Sequence, residues 1–144
     1  MYYYNNGSQT DCFKILYNAH TTIFDMKVKI VQLYESASSM GSSFDGMPKS
    51  PNPHRFENIM VEICYLQNFA KQLLKLRAEF DLFVCTLTPF YATVLALRCE
   101  ECRSWKEIAS ECNISTVSAK RVFKKICDRA QEAGLFELPV YEKN

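Results

Sequence analysis

The amino-acid sequence predicts an all-α protein: a long antiparallel coiled-coil helical hairpin followed by a helix-turn-helix module. Three observations carry that reading. Apolar residues recur at alternating spacings of four and three along two long stretches, the pattern of a helix with a narrow packing seam. Only 4 glycines and 5 prolines occur in 144 residues, too few to turn a many-stranded sheet. Helix-capping residues punctuate the last third of the chain.

The opening residues 1–10, MYYYNNGSQT, are polar apart from their tyrosines and are expected to be flexible. The first heptad run then reads Cys12, Leu16, Ala19, Ile23, Met26, Ile30, Leu33 and Ala37. A stretch rich in Ser, Gly and Pro follows and reads as a loop over 38–53. The second run is Phe56, Ile59, Ile63, Leu66, Ala70, Leu73, Arg77, Phe80, Val84 and Leu87. Such a segment makes a rod of roughly 45–50 Å. The two helices should fold back on each other as a hairpin spanning 11–86. Setting Ala37 against Phe56 puts Ile30 near Ile63, Ile23 near Ala70 and Leu16 near Arg77. Arg77, the polar member of the seam, then lies at the open end, within reach of Asp11.

Residues 87–134 form the third unit. Thr88 can cap a helix with Pro89 in its first turn, running to about residue 101. Ser104 and Glu107 make a capping box that opens a short helix, WKEIASEC. Asn113 suits a left-handed turn, and Ser115 can cap a last helix that ends at Gly134. Residues 135–144 read as an irregular tail, and the chain contains no internal repeat.

Charge narrows the function less by its total than by its placement. Lys+Arg is 17 against Asp+Glu 16, a balance that points to no particular partner. Residues 1–53 carry four charges of each sign, and so do 54–86. Over 115–129, however, Lys120, Arg121, Lys124, Lys125 and Arg129 face Asp128 alone. No apolar run suits a signal peptide or a membrane span, so no membrane partner and a cytoplasmic location are expected. The seven cysteines should then be reduced thiols, and their odd number argues against a closed disulfide framework.

Within 104–129 the sequence places Trp105, Ile108, Ala109 and Ile114 toward a core shared with Ala119, Val122, Phe123 and Ile126. That leaves Ser115, Thr116, Val117, Lys120, Arg121, Lys124, Lys125 and Arg129 as the candidate DNA-binding residues. A recognition helix divides its faces in this way. The buried stripe fixes the pose, the N-terminal exposed residues meet base edges, and the basic ones meet phosphates. A helical hairpin with a solvated basic face is the plainer alternative.

The run LTPFYATVLALRCEECRSWKEIASECNISTVSAKRVFKKICDRA resembles region 4 of bacterial sigma factors, in particular its phage-encoded relatives. The matching elements are the Leu87, Thr88, Pro89 start, the VLALR helix at 94–98, the SWKEIA helix at 104–109, and Ile114 with Ser115 before the basic helix. The upstream part is similar to small phage proteins with a long coiled helix, a Gly46-Met47-Pro48 loop and a second long helix. The resemblance covers roughly residues 14–130. It implies a late-gene transcription regulator of prophages in Gram-positive bacteria, acting in the bacterial host cell on double-stranded DNA. RNA polymerase stands as an open second partner. Cys99 stands where the family usually has an aromatic, Cys102 where the turn often has Gly, and KSPNPHR lacks the usual glycine run. Nothing resembles sigma region 2, so a complete sigma factor is not implied.

Other chemistries find little footing. Cys99 and Cys102 form a C-x-x-C, but Cys112 and Cys127 stand alone 10 and 25 positions later and both histidines lie in the hairpin. No metal and no cofactor are expected. No Gly-rich phosphate loop, metalloprotease signature or paired-carboxylate arrangement occurs, so the chain should not be an enzyme. Ile15, Phe24, Val28, Tyr34, Cys64, Tyr65, Phe69, Leu74 and Leu76 lie off the hairpin seams. A homodimer would cover them, and docking of the terminal module on the hairpin is the competing explanation. Two further functions remain open: DNA recognition for packaging, as in a small terminase subunit, and a polymerase- or sigma-binding module without DNA affinity.

Overall fold

The computed structural model describes residues 9–41 and 54–139, and the protein is all-α. The elements are α1 (Gln9–Tyr17), α2 (Ala19–Gly41), α3 (Arg55–Thr86), α4 (Pro89–Leu95) continued by a π-helical segment (Ala96–Glu100), α5 (Trp105–Cys112) and α6 (Thr116–Glu132). Among the described residues there is no strand. Residues 1–8 of the expected flexible segment 1–10, the Gly46-Met47-Pro48 motif and the tail beyond 139 lie outside the described residues.

Helices α2 and α3 form the antiparallel hairpin, and the heptad positions close its seam. Ala19, Ile23 and Met26 pack with Leu66, Ala70 and Leu73, while Ala37 packs with Ile59 and Ile63. Ile23 therefore shares a cluster with Ala70, and Ile30 borders the one that holds Ile63, as the pairing of the two runs requires. Phe56 does not join its seam and is exposed.

The first long helix departs from expectation at both ends. Gln9 and Thr10 are already helical, and α2 continues to Gly41, four residues into the expected loop. Within its last turns Ser36 and Ser39 donate their hydroxyls back to the carbonyls of Gln32 (3.1 Å) and Glu35 (3.0 Å), so neither side chain competes to end the helix there. Ala37 stays buried in the seam meanwhile. A bend at Asn18 also divides the expected single helix into α1 and α2. Arg77 stabilises the break: Nη1 donates to Leu16 O at 2.6 Å and Tyr17 O at 3.0 Å, and Nε donates to Asp81 Oδ1 at 3.0 Å. Leu16 thus does meet Arg77, through its carbonyl and in company with Asp81.

The bend swings α1 onto α3 and the π-helical segment, and this joins the hairpin to the terminal module. Phe13, fully buried, meets the rings of Phe80 (6.1 Å) on α3, Phe123 (6.1 Å) on α6 and Phe136 (5.1 Å) in the tail. Leu16, Phe83, Leu95, Cys99, Ile126 and Leu135 belong to the same core. The division expected at residue 86 is therefore crossed by one continuous core. The tail is irregular in backbone only. Gly134, in the left-handed region (φ 76), closes α6 with Gly134 N–H to Gln131 O and Leu135 N–H to Ala130 O, which drives Leu135 into the core.

Phe69 and Leu76 were expected to be surplus surface; both are buried within the chain. Docking of the terminal region on the hairpin's open end accounts for Leu76, which sits in the joint core, and α2 covers Phe69. No helix among the described residues is long and apolar enough to cross a membrane.

Candidate nucleic-acid interface

Local chemistry builds α5, its turn and α6 as the sequence demands. Thr88 Oγ1 accepts from Tyr91 N–H (3.3 Å) to start α4, with Pro89 at its first position. The capping box at α5 is complete: Ser104 Oγ accepts from Glu107 N–H (3.2 Å), and Glu107 Oε2 accepts from Ser104 N–H (3.3 Å). Asn113 ends α5 in the left-handed conformation (φ 54), and Ile114 N–H reaches back to Ala109 O (3.0 Å). Ser115 then caps α6 by accepting from Ser118 N–H (3.1 Å).

Val94, Leu97, Ile108 and Ala119 are buried together, with Trp105, Cys112, Ile114 and Val122 packed against them. Phe123, Ile126, Cys127 and Ala130 bury the rest of the inner face of α6 in the joint core. Both faces of the expected pattern are thus realised. At about 100° per residue, the exposed side chains of α6 fill roughly half its circumference. Val117, Arg121 and Lys124 lie near the middle of that arc, with Thr116 and Lys120 toward one edge and Lys125 and Arg129 toward the other.

Two of the candidate residues have structural work as well. Ser115 spends its hydroxyl on the helix cap and on Ser118 Oγ (2.9 Å). The Arg129 guanidinium lies over the Tyr91 ring of α4 at 5.3 Å, so α4 fixes its direction. No acidic residue occupies the first turn of α6; Asp128 and Glu132 come only near its far end. The face is therefore most positive at its N-terminal two-thirds.

A feature that the sequence pattern did not single out is Arg98. Its guanidinium stacks on Trp105 at 4.4 Å and Nη1 donates to Arg103 O at 3.0 Å, tying the π-helical segment to the start of α5. The signal was present, since Arg98 and Trp105 flank a short linker, but no helical spacing relates them. The helix expected to run to residue 101 widens into a π turn at Ala96–Glu100, closed by Glu101 N–H to Ala96 O (3.0 Å). Cys102 follows in the left-handed region (φ 55), a backbone conformation that favours Gly.

The C-x-x-C pair is split. Cys99 is buried in the joint core and Cys102 is exposed. Among the described residues, no group of three or more His, Cys, Asp or Glu side chains could hold a metal ion. Burial pushes the Cys99 thiol up to about 12, and the nearby Cys127 adds to the effect; burial first and then Asp128 push Cys127 up to about 11. Both thiols should resist alkylation at neutral pH while Cys64, Cys85 and Cys102 react. Well below pH 9 both are protonated whether the chain is folded or not. Above pH 9 the unfolded thiols ionise first, so stability should fall with rising pH, up to about pH 11 for Cys127 and 12 for Cys99, at up to about 1.4 kcal/mol per pH unit for each thiol. Urea titrations of the wild type and of Cys99→Ala across that range measure this, and the variant should show the shallower fall. No family model, no curated protein and no solved structure matches this chain.

Proposed function

We propose that the protein is a sequence-specific DNA-binding transcription regulator, of the sigma region 4-like kind found among phage and prophage late-gene regulators. The observation that supports this best is the division of α6 into a fully apolar inner face and an outer arc holding Lys120, Arg121, Lys124, Lys125 and Arg129. The capped turn from Asn113 to Ser115 sets this helix directly after α5, as a reading head requires. Thr116, Val117, Lys120 and Arg121 are the residues for base edges, and Lys124, Lys125 and Arg129 those for phosphates. Selection of bound fragments from a phage or host genome with purified protein tests the class. A shared motif upstream of structural genes is the expected result, and no enrichment would overturn it.

A dimer would let two such heads read paired half-sites. Of the residues that lie off the hairpin seams, Phe24, Val28, Tyr34, Cys64, Tyr65 and Leu74 stay exposed and are available for it. Phe24→Glu should turn a dimer into a folded monomer in sedimentation experiments at tens of micromolar protein. Phe69→Glu should instead unfold the hairpin, because its ring is buried against α2. A monomeric wild type removes the dimer.

A further inference from the structure

We propose that the groove between α2 and α3 is a docking site for an amphipathic helix of a partner protein, one with an apolar stripe flanked by acidic residues. The groove has a volume of about 420 Å³ and lies on one side of the hairpin seam, away from α6. Ile23, Ile30 and Val31 of α2 and Ala70 and Leu74 of α3 line it. Lys27 stands on α2 and Lys71 on α3, so each wall carries one ammonium group. Among the described residues no acidic side chain lines the groove, and neither lysine has a carboxylate within salt-bridge distance.

The other side of the seam is built differently. Lys29, about 200° around α2 from Lys27, bridges to Glu62 of α3 at 3.3 Å and so has its carboxylate within the chain. Leu74 is half exposed and Val31 more so, hence the open side offers apolar surface that the described residues do not cover. Concavity and an apolar floor suit a helix whose anchors recur at i, i+3, i+4 and i+7. The two lysines specify the sign of its flanks. A second copy of this chain is a poor occupant. A two-fold contact sets the same patch against itself, which would gather four ammonium groups around one apolar core.

The inference is independent of whether α6 binds DNA. Two synthetic helical peptides with the same leucine stripe, one flanked by glutamates and one by lysines, are titrated against the full-length protein by fluorescence anisotropy. The glutamate-flanked peptide should bind roughly tenfold or more tighter. The Lys27→Glu, Lys71→Glu double variant should invert that preference, and Leu74→Glu should remove binding while helicity is kept. All three positions are exposed, so the fold tolerates these changes. Equal binding of the two peptides, no binding of either, binding that survives Leu74→Glu, or a wild-type dimer that Leu74→Glu dissociates would each overturn the proposal.

Discussion

Replacing Phe13 by Ala is expected to cost about 3–5 kcal/mol, a large fraction of the stability of a domain this size. The ring is fully buried and touches aromatic rings on α3, α6 and the tail, so its loss opens a cavity where the hairpin and the terminal module meet. Two signals can follow the consequence. The single Trp, at 105 in α5, reports the module by fluorescence, and far-UV circular dichroism is dominated by the long hairpin helices. In urea both signals should move together in the wild type and shift together in Phe13→Ala. Phe13→Leu, which keeps most of the volume, should shift them less. A Trp105 transition unmoved by Phe13→Ala would mean that the module folds without α1.

Arg121→Ala is expected to weaken binding to the cognate site by about 1–3 kcal/mol and to relax the preference at one base position, because a guanidinium can fork onto guanine O6 and N7. Arg121 lies near the middle of the exposed arc of α6 and, unlike Lys124, close to the N-terminal end that enters the groove in a recognition helix. Lys124→Ala should differ in kind. It should weaken cognate and scrambled duplexes alike and lower the log–log salt slope by about one. Both side chains are exposed, so helicity and thermal stability should hardly change.

The hairpin and the capped helices were legible because their signals are local. A heptad such as Ile23, Met26, Ile30 needs only its own helix to define a face, and Ser104 with Glu107 closes a capping box within four residues. What escaped depends on distant partners. The bend at Asn18 breaks no heptad spacing, since Cys12 and Leu16 keep the phase, yet Arg77 from the other helix takes the Leu16 and Tyr17 carbonyls and redirects α1. Phe69 and Leu76 sit off the seam and are buried by wider helix–helix packing and by the docked module. Leu135 and Phe136 looked like tail, although an apolar residue just after a closing Gly is a recurrent packing signal. In the candidate interface the exposed basic arc was readable from helical period, whereas the stacking of Arg129 on Tyr91 required α4 to be in place.

The most direct measurement is the affinity of the wild type and of the combined Lys120→Ala, Arg121→Ala, Lys124→Ala, Lys125→Ala variant for a genome-selected duplex, at two or more salt concentrations. The reading of α6 as the DNA-contacting helix predicts a loss of roughly a hundredfold or more, together with a flatter salt dependence and unchanged circular dichroism. Equal affinity of the two proteins for that duplex would contradict it.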